Sequence, residues 1–227
     1  VRFHEVRPEG IRVVYNGVDT ERFSPRRRDE YRHTVRRRLG IGDEAVVLLV
    51  VAHNFRLKGV PTLLRSMRLL RAERRPLNLL VVGGKRLRGW HRFSKRLGIG
   101  SAVRLLGSVA DPVPFYAAAD VFAYPTFYDP CSLVLLEAAA SGLPLITSRH
   151  CNGVSELLTE NVDAAFVEDP SRPGELADRI RDLLDESVRA EMGQAARRMS
   201  LGHSFRRNVD EIVAVYEGAA LAPSRAA

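Results

Sequence analysis

Cysteine is nearly missing: Cys131 and Cys151 are the only two in 227 residues. That excludes a disulfide framework and any paired-cysteine zinc site, and makes a reducing cytoplasm the default compartment. Lysine is also sparse, with Lys58, Lys85 and Lys95 alone among 35 basic residues, so arginine supplies nearly all the positive charge. No run approaches the roughly 18 consecutive apolar residues that a membrane span needs, and no signal-peptide pattern opens the chain. The first residue is Val1, and "VRFHEVRPEG" reads as mid-protein, so an upstream domain is expected.

What is present is ordinary for a packed fold, with 45% hydrophobic residues. The 35 basic residues outnumber 27 acids, for a net charge of +8. Such a balance favours an acidic partner: phosphate, nucleic acid or an anionic membrane surface.

From residue 45 onward, short aliphatic runs alternate with segments of helical period. The expected strands are 45–52, 77–83, 103–107, 120–125, 143–148 and 163–168, and the helices between and after them are 60–74, 89–98, 112–119, 132–141, 153–159 and 173–186. Strands apolar throughout are buried on both faces, which predicts an α/β fold with a doubly wound, Rossmann-like parallel sheet. Ahead of it, "IRVVYNGVDTERFSP" reads as a short strand and turn, and "RRRDEYRHTVRRRLG" as an exposed basic helix. Two closing helices and a frayed tail, "APSRAA", follow. The division is 1–40 as interdomain strand and basic helix, 41–202 as the sheet domain, and 203–227 as a closing helix and tail.

In a sheet of order 3-2-1-4-5-6, ligands bind where the winding reverses, between the carboxyl ends of strands one and four. The loop after strand one is "HNFRLKG", with Arg56 and Lys58; the loop after strand four is "TFYDPCS", with Asp129. The second loop leads into a helix with Ser132 at its N-cap and Gly142 and Pro144 at its end. The N–H groups of Leu133 and Val134 then lack helical partners and suit a phosphate. Glu137 lies on the same face as Leu133, one turn on, and a carboxylate beside a phosphate site is tolerated where it accepts hydrogen bonds, as from a ribose diol. Asp129, on the other side, suits a second hydroxylated group.

Three other readings compete. Asp129 and Glu137 resemble a glycosidase carboxylate pair, but a helix-start anion site has no role in simple glycoside hydrolysis. Cys131 near a helix start suggests a nucleophile, yet no histidine base is assignable and a small loop residue suffices. The runs Arg26 to Arg28 and Arg36 to Arg38, with "KRLRGWHRFSKRLG", suggest a non-enzymatic nucleic-acid-binding module, but no RRM, KH or zinc signature accompanies them. In the last segment Leu87, Trp90, Phe93 and Leu97 form a stripe that packs on the sheet, with contact to an anionic membrane surface as the alternative. His53, His150, Cys151 and Asn152 flank the same crevice as loop residues.

Taken in order, "VVYNGVDTERFSP", "FRLKGVPTLLRSM", "LLVVGG", "VRLLGSV", "FYAAADVFAYPT", "DPCSLVLLEAAASGLPLI" and "NGVSEL" resemble the C-terminal, nucleotide-sugar-binding half of a GT-B-fold glycosyltransferase. The group is family four, or group 1, which includes the lipopolysaccharide core glucosyltransferases. The resemblance implies that Glu137 binds the ribose and that Lys58, with Arg56 and the N–H groups of Leu133 and Val134, holds the diphosphate. It implies that Asp129, with the backbone of Cys131 and Ser132, meets the donor sugar, and that the base rests near Val109. The implied reaction is retaining transfer of a hexose from a nucleoside diphosphate sugar to an acceptor hydroxyl, without cofactor or metal, in polysaccharide, lipopolysaccharide or glycolipid synthesis. Asp129 and Lys58 would be its catalytic residues. The acceptor, a sugar or lipid-linked sugar, would be held by a separate N-terminal domain, and the enzyme would be cytoplasmic or peripheral to the inner membrane face. The sequence has no D-x-D or H-E-x-x-H motif, as that implies. It departs from the family pattern in having Asp as the first acid, "PCSL" after it, and Ala52-His53 at one candidate place, and Leu57 at another, for an arginine common near the first phosphate loop.

Overall fold

The computed structural model describes residues 11–73 and 76–220. The opening decapeptide and the "APSRAA" tail of the sequence reading lie outside these residues. Six strands, β1 (Val46–Val51), β2 (Leu77–Val82), β3 (Val103–Gly107), β4 (Val121–Tyr124), β5 (Leu145–Ser148) and β6 (Ala164–Val167), form one sheet in the order β3-β2-β1-β4-β5-β6. Every pairing is parallel. The aliphatic runs explain this, because helices cover both faces and Val47, Leu48, Leu49, Val121 and Phe122 have no exposed surface. Each such aliphatic side chain contributes roughly 1.5–3 kcal/mol relative to exposure.

The helices are α1 (Arg27–Arg38), α2 (Val60–Leu69), α3 (Arg88–Arg96), α4 (Val113–Ala118), α5 (Leu133–Ala140), α6 (Pro173–Asp182), α7 (Glu186–Leu201) and α8 (Phe205–Ala220). The expected stop of α5 is formed by a Schellman pair, Gly142 N–H to Ala139 O and Leu143 N–H to Ala138 O. Residues 153–159 do not form an α-helix; Gly153–Leu157 is a 3-10 turn capped by the Asn152 side chain. The expected helix 173–186 ends at Asp182, and Asp185 then caps α7 through the N–H groups of Ser187 and Val188.

Three expectations at the edges need correction. Residues 11–17 form no strand, because no neighbour offers a ladder there; one bridge, Val18 to Ser204, ties this segment to the start of α8. Helix α1 is not an exposed helix. It packs on α4, and Arg28, Arg32 and Arg36, one turn apart, converge on Asp120 at the amino end of β4. Arg36 is 1% exposed, donating to Asp120 at 2.5 Å and to the carbonyls of Ala118 and Ala45. Nor does α8 close the domain with an apolar face. Phe205, Val209, Ile212, Val213 and Tyr216 share one side of it, and all are exposed. Closure comes from α7, which packs on α5.

Candidate functional site

A cavity of about 490 Å³ opens between the carboxyl ends of β1 and β4, where the winding reverses. Its walls bring together Lys58, Asp129, Cys131, Leu133, Val134, Glu137 and Val109, seven of the nine residues the sequence singled out. His53 also lines it. The exceptions are Ser132, buried beneath the site, and Arg56, which faces a neighbouring cavity. Sequence spacing could not distinguish the directions of Arg56 and Lys58, two residues apart in one loop.

The two loops that carry the site are fastened to each other. Phe127 N–H donates to Leu57 O at 2.9 Å, and Lys58 Nζ donates to Tyr128 O at 2.9 Å and to Asp129 Oδ2 at 2.8 Å. Gly59, at φ 69°, allows the approach: a Cβ there would stand 1.9 Å from Pro125 O. The Lys58 ammonium also lies over the Tyr124 ring, 5.5 Å from its centre.

Asp129 is held from behind as well. Its N–H donates to Cys151 O at 2.8 Å, and its carbonyl accepts from Gly153 N–H at 3.0 Å. These contacts give Cys151 and Gly153 a role in placing the acid that sequence reading missed. A Cβ on Gly153 would meet Pro130 O at 2.1 Å, which is the physical content of the "NGVSEL" motif. Tyr124 Oη donates to Asp129 Oδ2 at 2.7 Å. Burial alone would raise the Asp129 carboxyl, but hydrogen bonds from Lys58 and Tyr124, with the nearby Ser132, outweigh it and hold it below the usual range.

At the start of α5, Ser132 occupies the N-cap without capping. Its buried Oγ has no hydrogen bond of ordinary geometry, although it lies close enough to Asp129 to help hold that carboxylate low. The N–H groups of Leu133 and Val134 donate to nothing among the described residues, and Leu133 is 46% exposed. An eight-residue helix thus presents free amides and the positive end of its dipole to the cavity.

Glu137 pairs with no arginine among the described residues. Its Oε2 accepts from Tyr116 Oη at 2.7 Å, a partner on α4, the helix expected over 112–119, whose hydroxyl no sequence pattern links to Glu137. Burial pushes the Glu137 carboxyl above its usual range, while Tyr116 and the more distant Arg22 pull it down. The Tyr116 hydroxyl is pushed well up, first by burial and then by Glu137, so it remains a donor.

Half of the arginines in the two runs that suggested nucleic acid are engaged within the fold, Arg27 with Glu30 and two others more deeply. Arg28 and Arg36, one from each run, turn inward to Asp120. A polar cavity of about 390 Å³ at that end of the sheet is lined by Arg28, Arg32 and Arg189 together with Asp43, Glu44, Asp120 and Glu186, so both signs of charge meet in it.

Free helix-start amides, an apposed lysine and a buried acid at the switch point of a doubly wound sheet define a Rossmann-like domain with an anion-binding cleft. The chain belongs to the glycosyl transferases group 1 family, whose model matches residues 32–199. A D-inositol 3-phosphate glycosyltransferase of Saccharomonospora viridis is 34% identical over 96% of this chain and 52% of its own length. The chain therefore spans about half the length of the curated relatives it matches. Among solved structures, WaaG, a glycosyltransferase involved in lipopolysaccharide biosynthesis, superposes with a TM-score of 0.81 at 23% identity, over 94% of this chain and 58% of that one. Anabaena Alr3699/HepE, solved with UDP and glucose, gives 0.81 at 22% identity with the same coverage, 94% and 58%. No helix among the described residues is long and apolar enough to cross a membrane.

Proposed function

We propose that this cleft binds a nucleoside diphosphate sugar and that the chain is the donor-binding half of a retaining hexosyltransferase. The observation that carries the reading is that Lys58, the free amides of Leu133 and Val134, and Glu137 share one cavity. The diphosphate rests on the amides with Lys58 beside it, Glu137 accepts from the ribose diol, and the base lies toward Val109. Asp129 meets hydroxyls of the sugar. Relatives named for glycosyl transfer to D-inositol 3-phosphate, and a neighbour solved with UDP-glucose, make UDP-glucose the first donor to test.

The chemistry asks for charge stabilisation. As the bond to the anomeric carbon breaks, negative charge grows on the departing diphosphate, and prepositioned amides and an ammonium lower that barrier without a metal. Removing one such donor costs roughly two to three powers of ten in rate. The acceptor hydroxyl is delivered by the part of the enzyme that this chain does not span, in polysaccharide, lipopolysaccharide or glycolipid assembly.

The test is a thermal-shift panel of UDP, GDP and ADP and their glucose conjugates. A ligand at one hundred times its dissociation constant stabilises by about 2.7 kcal/mol. One nucleotide family should raise the melting temperature, and Lys58→Ala and Glu137→Ala should each remove the response. A wild-type chain that answers none of the panel refutes the reading.

A further inference from the structure

Beside the donor cleft lies a second cavity, of about 660 Å³, between α2 and α3. Arg56, Arg65, Lys85, Arg86 and Arg96 line it, and no acid does. None of the five forms an ion pair among the described residues. The contrast with the rest of the molecule is sharp: Arg149 pairs with Glu160 and Glu168, Arg181 with Glu73, and Arg36 with Asp120.

This is the local form of a larger asymmetry. Fourteen of the 35 basic residues but only one of the 27 acids, Glu73, fall between Ala45 and Ala110. That stretch carries +13, while the remaining 21 basic residues and 26 acids leave the rest of the chain at −5. Its one acid is turned away to Arg181 on α6. A concave site ringed by one sign of charge focuses the field and concentrates counter-ions of the other.

The cavity also has an aromatic wall. Trp90 packs edge-on against Phe55 at 5.5 Å and Phe93 at 6.3 Å, which fixes its ring, and Arg65 lies over Phe93 at 5.6 Å. With Leu87 and Leu97, both aromatics pack against the core half-buried, as the sequence predicted. What remains is a rigid, half-apolar pocket of the size small ligands use.

We infer that this pocket is a second anion site, separate from the donor cleft, that binds the phosphoryl group of a phosphomonoester through the Arg56, Arg65, Lys85, Arg86 and Arg96 ring, with the ligand's carbon frame against Trp90. Guanidinium forks match phosphate oxygens two at a time, which favours phosphate over chloride or an isolated carboxylate. Two sources carry this chemistry: a soluble phosphorylated polyol, and the headgroup of an anionic lipid at a membrane surface.

Trp90 is the only tryptophan in the chain, so its fluorescence reports on this pocket. The full chain, preincubated with saturating UDP to occupy the donor cleft, is titrated with glycerol 3-phosphate. In parallel it is titrated with phosphatidylcholine vesicles with and without phosphatidic acid. A saturable change with glycerol 3-phosphate identifies a soluble ligand, and a change only with phosphatidic acid vesicles identifies a lipid headgroup; either supports the site. The double charge reversal Arg86→Glu and Arg96→Glu should weaken the response at least about tenfold, while circular dichroism and melting temperature show that the fold survives. No response from either probe, or a response unchanged by the reversal, overturns the inference. So does tighter binding of a duplex oligonucleotide that the same reversal removes, which would assign the ring to nucleic acid. Because UDP occupancy is measured separately, failure here and failure of the donor-cleft reading are told apart.

Discussion

Tyr116 and Tyr124 stand at the two ends of one aromatic stack, with Phe122 between them at ring separations of 5.8 and 5.9 Å. Each outer hydroxyl holds one acid of the motif, Tyr116 on Glu137 and Tyr124 on Asp129, both at 2.7 Å. The column is built on β4 and α4 and is buried. It therefore sets the separation of the two carboxylates from beneath, independently of the mobile ends of their own side chains.

Removing the Tyr116 hydroxyl should show in the acid limb of nucleotide binding. Glu137 must be ionised to accept two donors, and burial already raises its carboxyl while Tyr116 lowers it. Affinity should therefore fall as pH drops through the Glu137 value, and in Tyr116→Phe this fall should begin at a higher pH. At neutral pH the loss should be about tenfold, the worth of a hydrogen bond to a charged group. Calorimetric titrations across pH check it; superimposable pH profiles would show that Tyr116 serves packing alone.

Glu137→Gln should stabilise the empty protein at neutral pH. A carboxyl raised on folding adds stability below its unfolded value, and that stability is lost as pH rises through the folded value. Above that window the ionised Glu137 opposes folding, so the amide should raise the melting temperature by up to a few degrees. The same substitution should weaken nucleotide binding. Scanning calorimetry at pH 7.5, with and without UDP, gives both readings; a lower melting temperature without ligand contradicts the argument.

Asp120→Asn removes the one counter-charge that Arg36 meets in the interior and should cost about 3–5 kcal/mol. Burial works against the Asp120 carboxylate, but Arg32, Arg36 and the Val47 N–H outweigh it and hold it below the usual range. Its contribution is present above the unfolded carboxyl value and is lost as pH falls through the lowered folded one. Urea midpoints of the two proteins should therefore differ widely at neutral pH and converge in strong acid. A constant difference across pH would rule out charge pairing as the cause.

Gly153→Ala forces a Cβ against Pro130 O and should displace the loop that carries Asp129. The expected cost in stability is about 1–3 kcal/mol. Under the proposed assignment of Asp129 to the donor sugar, UDP-glucose should lose about tenfold more affinity than UDP. Equal losses for both ligands would separate Gly153 from sugar contact.

The sheet was legible because its runs of Val, Leu and Ile are apolar on both faces, which a parallel sheet alone accommodates. The cleft followed from the winding, and Lys58, Asp129 and Glu137 do converge there. What escaped notice depends on contacts between distant residues. Arg36 sits in an arginine run of the kind that covers solvated helices, and its burial depends on Asp120, 84 positions away. Tyr116 and Tyr124 lie within apolar runs, where a tyrosine reads as packing until the partner of its hydroxyl is known. The direction of Arg56 is set by the turn at Asn54, whose side chain accepts from Leu57 N–H, and no periodicity encodes that. The exposed face of α8 has the amphipathic pattern of any packed helix, so sequence could not distinguish a covered face from an open one.

The contact between Lys58 and Asp129 makes the cleft its own rival. An incoming anion must compete for the ammonium with a carboxylate held in place beside it. Under the proposed assignment, inorganic phosphate would leave that carboxylate stranded, whereas a sugar diphosphate would supply hydroxyls to re-engage it. Such a cleft would sort sugar diphosphates from bystander ions before any chemistry begins.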